Sequence, residues 1–161
     1  AQPRQDARFA SMKAVALDTN LLLLLIVVAA TGEVVGKRLK SFSPEDLHKL
    51  VELTSEAERL IATPNVWTEV SNIWDFGIDG DWRRAIAEQL ISAVKESVEI
   101  VRHSRDVTSD PEFERLGLAD CVWLSVLDAS VALITDDVAL YNIALSRGLN
   151  AINFTHLRNF D

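Results

Sequence analysis

Residues 14–30 read AVALDTNLLLLLIVVAA. Ala14–Leu17 is a short apolar run of strand character that stops at Asp18. Leu21–Ala30 is a second apolar run, and Thr19 or Asn20 can cap it as a buried helix through about Ala30. Asp18 therefore falls between two apolar elements. Partial burial is expected there, and a buried carboxylate requires a partner.

The rest of the chain repeats this alternation. Thr31–Lys40 reads as a basic connection. Ser43-Pro44-Glu45-Asp46 combines a cap, a first-turn proline and acids, and opens a helix to about Arg59. Leu60–Thr63 is a second strand, stopped by Pro64, and a helix follows from Asn65 to about Phe76. After the Gly77–Gly80 turn a long helix starts at Asp81. Val98–Val101 is a third strand, Ser109-Asp110-Pro111 opens a short helical piece, and Leu118–Ala129 is a helix. Val131–Ile134 is a fourth strand, Asp137–Arg147 a helix stopped by Gly148, and Ala151–Phe154 a fifth strand before a tail. Five strands separated by helices predict a parallel sheet. Right-handed crossovers place helices on both its faces, giving a three-layer α/β/α sandwich.

The length of 161 residues suits one domain. Met12, the sole methionine, is expected to mark its start, so that 12–161 form the domain and 1–11 a tag or loose tail. Cys121 is the one cysteine, which excludes an intrachain disulfide and suits a reducing, cytoplasmic setting. Leu21–Ala30 spans ten residues, against the roughly 20 that a membrane-crossing helix needs. Asp18, Thr19 and Asn20 also interrupt a signal-peptide reading after Arg4, Arg8 and Lys13. With 24 acidic and 16 basic side chains the net charge is −8, which argues against coating nucleic acid by bulk charge.

In open α/β sheets, sites form beyond the carboxyl ends of strands near a topological switch point. The first strand ends in Asp18, and the fourth in Thr135, Asp136 and Asp137. Glu69 lies about one helical turn after the Pro64 that stops the second strand. Asp120 starts the helix leading into the fourth. Singly, each has an ordinary explanation: Asp136 or Asp137 as a helix cap, Asp120 as a complement to a helix dipole, Glu69 as a solvated acid. Together, carboxylates converging on one sheet edge repel one another and raise each other's pKa. A hard divalent cation removes that conflict. Mg²⁺ and Mn²⁺ favour oxygen ligands, activate water and stabilise charge on a phosphodiester. No HExxH, CxxC pair, GxSxG or phosphate-cradling glycine loop competes. His48, His103 and His156 are scattered and read as surface or packing residues.

The chain resembles the PIN-domain family of metal-dependent nucleases from Met12 to about Arg158. Four motifs carry the likeness, in order. They are AVALDTNLLLLL with Asp18, TPNVWTEVSNIW with Glu69, LGLADCVWL with Asp120, and ALITDDVALYNIALSRGLNAINF. In the last, a Thr-x-Asp pattern selects Asp137, with Asp136 beside it. The resemblance implies strand order 3-2-1-4-5 and an acidic pocket for Mg²⁺ or Mn²⁺. It also implies hydrolysis of phosphodiester bonds, usually in RNA, to 5′-phosphate and 3′-hydroxyl ends. Asp18, Glu69, Asp120 and Asp137 are then the catalytic acids, and Asp18, Asp120, Asp136 and Asp137 hold the ion. Asp136 is either a further ligand or the cap of the following helix. Thr19, Asn20 and Thr135 are expected to orient the carboxylates. Two features depart from the small toxin members: a long Thr31–Glu58 segment, and TDD in place of the commoner Thr-hydrophobe-Asp.

Substrate contacts are sought in the basic run Lys37-Arg38-Leu39-Lys40, in Arg83-Arg84, and in Arg102 and Arg105. The alternative is a solvated basic surface. Asn72, one turn after Glu69, is either a substrate contact or an exposed helix residue. Trp67, Trp74, Trp82 and Trp123 sit at helical positions that favour packing over base stacking. Expected partners are an RNA substrate, an antitoxin protein if the chain is one half of a toxin–antitoxin pair, and a second copy of the chain. The rival readings are a non-catalytic RNA- or protein-binding module of this fold, a DNA-directed nuclease, and a phosphatase using the same acids. A receiver domain is disfavoured, because it wants an acidic pair at the first strand and an aspartate ending a middle strand.

Overall fold

The computed structural model describes residues 12–73, 78 and 80–158. Strands β1 (Ala14–Leu17), β2 (Arg59–Ala62), β3 (Val98–Glu99), β4 (Val131–Thr135) and β5 (Asn150–Asn153) form one sheet. All its pairings are parallel and its order is β3-β2-β1-β4-β5. The helices are α1 (Thr19–Thr31), α2 (Pro44–Thr54), α3 (Pro64–Ile73), α4 (Gly80–Glu96), α5 (Phe113–Leu116), α6 (Leu118–Val126) and α7 (Val138–Ser146). The expected α/β/α sandwich is therefore present, with the expected strand order.

β1 is central. It pairs with β2 through Val15↔Leu60 and with β4 through Val15↔Ala132, and all four of its residues are buried. A strand with neighbours on both edges and helices on both faces has no solvated side, hence its unbroken apolar sequence. Helix α1 follows the same logic. Leu21, Leu22, Leu23, Leu24, Ile26 and Val27 are all buried, and a helix apolar on every side belongs in the interior. Each fully buried leucine contributes roughly 1.5–3 kcal/mol of apolar transfer. Among the described residues, no helix is long and apolar enough to cross a membrane.

Several boundaries differ from the sequence reading. Helix α2 stops at Thr54 rather than near Arg59. The N–H groups of Glu58 and Arg59 both donate to the Lys13 carbonyl, at 2.8 and 3.0 Å, and draw this segment beside β1. β2 thus starts at Arg59. Helix α6 ends at Val126 rather than Ala129. Leu127 is extended, and Asp128 Oδ1 accepts from the Ser130 N–H at 2.8 Å in a side-chain-closed turn before β4. β3 shrinks to two residues, although the Ile100 N–H still reaches the Ala62 carbonyl at 2.9 Å. The expected tail beyond β5 is instead a 3-10 turn, Phe154–Leu157, with Phe154 fully buried. Residues 1–11, and the region of Trp74, Phe76 and Gly77, lie outside the described residues.

Two ion pairs fasten the end of the chain. Arg158 Nε donates to Asp46 Oδ2 at 3.0 Å, Nη2 donates to the Ser41 carbonyl, and the guanidinium lies 4.7 Å from the Phe42 ring centroid. Asp46 simultaneously closes the capping box of α2, accepting from the Ser43 N–H at 2.9 Å. Arg147 grips Asp110 through two parallel bonds of 2.7 and 2.8 Å, tying the turn after α7 to the segment before α5. Hydrogen bonding from Arg147 holds Asp110 down to about pKa 2, against an ordinary 3.8. The folded form therefore favours the carboxylate. This stability is complete above about pH 4 and is lost as pH falls toward 2. Because Arg147 is one-third exposed, Asp110→Asn should cost only about 1 kcal/mol at pH 7. Urea melts at pH 7 and pH 2 check this: the gap between variant and wild type must shrink at the lower pH.

Candidate acidic site

Asp18, Glu69, Asp120, Asp136 and Asp137 line one open cavity of about 390 Å³. It lies where the carboxyl ends of β1 and β4 adjoin. The site begins with a local choice at Asp18. Its backbone is extended, its carbonyl accepts the Leu22 N–H at 2.9 Å, and its Oδ1 accepts the Leu21 N–H at 3.3 Å. The cap of α1 is therefore Asp18, not Thr19 or Asn20. That releases the next two side chains. Thr19 Oγ1 donates to Glu69 Oε2 at 2.5 Å, and Asn20 Nδ2 donates to Asp136 Oδ2 at 3.1 Å.

The other half of the site comes from the end of β4. Thr135 is fully buried and donates to Asp18 Oδ2 at 2.5 Å, while the Asp136 N–H donates to the same oxygen at 2.7 Å. Asp18 thus accepts three of the roughly four hydrogen bonds open to a carboxylate. Thr135 Oγ1 also accepts the Asp137 N–H at 2.9 Å. Asp137 caps α7, with Oδ1 accepting from Ala139 at 2.7 Å and Leu140 at 3.0 Å. Both cap bonds fall on one oxygen, so the cap leaves Oδ2 to the cavity. Of the two roles open to Asp136, the helix cap belongs to its neighbour.

The electrostatics follow from this crowding. Burial pushes Asp18 up to about pKa 8, and the charge of Asp136 pushes the same way. Burial raises Asp120 to about 7, reinforced by Asp137 and then Glu69. Arg38 is the one basic side chain lining the cavity among the described residues. It comes from the 3-10 turn Lys37–Leu39, anchored by buried Leu39, and its Nε donates to Asn20 Oδ1 at 2.9 Å. Asn72 lines the cavity as well, whereas Lys37 is exposed in the same turn as Arg38 and does not.

Comparison of the chain with protein-family models, curated proteins and solved structures finds no match. Its chemistry is accordingly read from the donor set. The acids offer oxygen ligands only, which suits Mg²⁺ or Mn²⁺ and not a soft metal. Burial raises both Asp18 and Asp120, and a bound divalent cation would favour the carboxylate form of each. Among the described residues, no group of three or more acidic, imidazole or thiol side chains is already arranged to hold an ion. Asp18, Glu69, Asp136 and Asp137 instead accept hydrogen bonds from neighbouring donors.

A larger groove of about 550 Å³ runs between α1, α2 and α4. None of the five acids lines it and its walls are mainly apolar, so size does not make it the chemical site. Trp67 and Trp123 are buried and Trp82 is half-buried, as packing residues should be. His48, His103 and His156 are exposed, with His156 set edge-on to Tyr141 at 5.8 Å. Leu140, which forms part of the cavity wall, was not marked by the sequence as a site residue. Its place one turn beyond the Asp137 cap is the signal that could have found it.

Proposed function

We propose that the chain is a divalent-cation-dependent ribonuclease with a PIN-like domain. The observation that carries this reading is the convergence of Asp18, Glu69, Asp120, Asp136 and Asp137 on one cavity at the β1/β4 switch point. When bound, Mg²⁺ or Mn²⁺ supplies water activation and neutralises charge on the phosphodiester. Asp18, Asp120, Asp136 and Asp137 would hold the ion directly or through water, with Glu69 completing the set. Thr135 and the Asp136 N–H fix the Asp18 carboxylate, Thr19 fixes Glu69, and Asn20 fixes Asp136. Arg38, steadied by Asn20, meets the anionic backbone, and Asn72 offers a neutral contact beside it.

An activity screen tests the reading. Wild-type protein with Mn²⁺ should cut RNA and leave 5′-phosphate ends, and excess EDTA should stop it. Cutting confined to DNA, or release of phosphate from monoesters alone, would move the assignment to the corresponding rival. A calorimetric experiment addresses the ion itself. Asp18→Asn/Asp137→Asn should bind Mn²⁺ at least about a hundredfold more weakly, since even residues supporting metal ligands are worth 10–100-fold. Equal binding by this variant and wild type would remove the metal site.

The resemblance also supports pairing through helices. Exposed Val51 on α2 and Ile91 and Val94 on α4 are apolar side chains available for it. A second copy or an antitoxin protein is the corresponding partner, and a toxin role in the cytoplasm is the biological setting proposed with it.

A further inference from the structure

We infer that a second recess, adjoining the acidic cavity, receives the nucleotide next to the scissile bond of an unpaired RNA strand, with Arg102 as its phosphate contact. The inference rests on the ribonuclease reading and adds a substrate class and a direction to it. The recess measures about 380 Å³ and is lined by Asn65, Thr68, Glu69, Arg102, Ser104 and Leu118 among others. Glu69 lines both spaces, so the two adjoin at its side chain.

The topology explains why the recess exists. Its walls are the start of α3, the loop after β3 and the start of α6. These are segments beyond the carboxyl ends of β2 and β3, while the acids gather beyond β1 and β4. Along the carboxyl edge of the sheet, the recess is the next position after the acids. A polymer cut in the acidic cavity must leave it on two sides. Arg38 stands at the Asp136 end, joined through Asn20, and Arg102 lies beyond the Glu69 end. The path thus runs from one cation, across the acids, to another. An acidic site needs such flanking cations, because it repels the backbone it has to cut.

Arg102 is exposed and donates one bond, Nη2 to the Ser125 carbonyl at 3.1 Å. That bond occupies one N–H at Ser125, outside the recess lining, and a guanidinium carries five N–H donors, which leaves others for a phosphate. Asn65 and Ser104 place an amide and a hydroxyl around the recess, groups that bond ribose hydroxyls and base edges, while the Thr68 hydroxyl donates to the Pro64 carbonyl at 2.8 Å and is left to accept. Leu118 adds an apolar surface for a base. A concave space of this size admits a single small ligand. A base can enter it only after leaving its stack, which favours an unpaired strand over a duplex.

The test combines binding and cleavage. Binding of a fluorescein-labelled twelve-nucleotide single-stranded RNA is followed by anisotropy in the Asp18→Asn background with Mg²⁺. Cleavage of the same RNA is followed with Mn²⁺ in otherwise wild-type protein. Arg102→Ala, which removes the cation, and Thr68→Trp, which fills the recess, should each weaken binding and raise KM about tenfold, with kcat within about twofold of wild type. Arg102→Ala should also reduce the salt dependence of binding by about 0.7 in log–log slope. Lys95→Ala, on an exposed α4 residue that lines neither space, should leave Kd and KM at wild-type values. If wild type cuts RNA and either recess variant keeps wild-type Kd and KM, the recess assignment falls and the ribonuclease reading stands. If wild type cuts no RNA yet binding responds to both variants, catalysis falls and the recess stands. Absence of both binding and cleavage overturns both.

Discussion

Asp18→Asn should abolish RNA hydrolysis while making the metal-free protein no less stable at pH 8. The rate loss should be on the order of 10³-fold, more than removal of a residue that merely supports a metal ligand. The stability result follows from proton linkage. Unfolded Asp18 releases its proton near 3.8, whereas burial and Asp136 hold it on the folded side chain to about 8. Between those values the folded state binds more protons, so the stability of the metal-free protein falls as pH rises. Asparagine carries no charge to bury. Its single oxygen can keep Thr135 and the Asp136 N–H and forgo Leu21, at about 1 kcal/mol. Asp120, raised to about 7, remains, so the pH slope should be reduced rather than flat. Thermal melts in EDTA between pH 5 and pH 8 check this. The cation provides the complement. At a hundred times its Kd it should stabilise wild type by about 2.7 kcal/mol and the variant by much less. Undiminished cleavage by Asp18→Asn removes its catalytic role. A lower melting point for the variant at pH 8 shows that hydrogen bonds outweigh burial at this position.

Arg158→Ala should be the most damaging single change away from the acids. Asp46 is 4% exposed and Arg158 12%, and their contact ties the end of the chain to the start of α2. Removing Arg158 leaves a buried carboxylate held only at the α2 cap, and broken buried pairs of this kind cost about 3–5 kcal/mol. For a protein of this size that is a fall of roughly 10 °C in melting temperature. Asp46→Ala/Arg158→Ala should lose less than the two single changes added together, because the double variant leaves no stranded charge. Activity at 20 °C should survive in the fraction that remains folded. A loss below about 1 kcal/mol, within the range of surface pairs, would show that the contact is replaceable by water.

These cases mark what could be read from the chain. The parallel sheet and the gathering of the acids were legible because both depend on features local in sequence, whereas the strand order came only as what the family resemblance implies. An apolar run of four residues ends in Asp18, a second of similar kind ends in Thr135-Asp136-Asp137, and parallel sheets bring such ends to one edge. The partners Thr19, Asn20 and Thr135 were legible for the same reason, being adjacent to the acids they hold. The cap of α1 was not, since Asp18, Thr19 and Asn20 are all good capping residues and tertiary contacts from β4 chose among them. Asp46 looked like an ordinary first-turn acid; its partner lies 112 positions away. The early end of α2 was hidden likewise, because the Lys13 carbonyl that captures Glu58 and Arg59 belongs to another part of the chain. Asn65, Thr68 and Ser104 carry no motif, and only their place beyond β2 and β3 brings them together.

The pairing of β1 with β4 also sets a schedule. Asp18 is among the first residues of the domain to emerge during synthesis, and its partners at 135 and 136 are among the last. A growing chain that stops short of residue 135 lacks both donors to Asp18 Oδ2, and it lacks Asp136 and Asp137 altogether. Domains fold as units, and in such a chain the five acids cannot gather at one sheet edge.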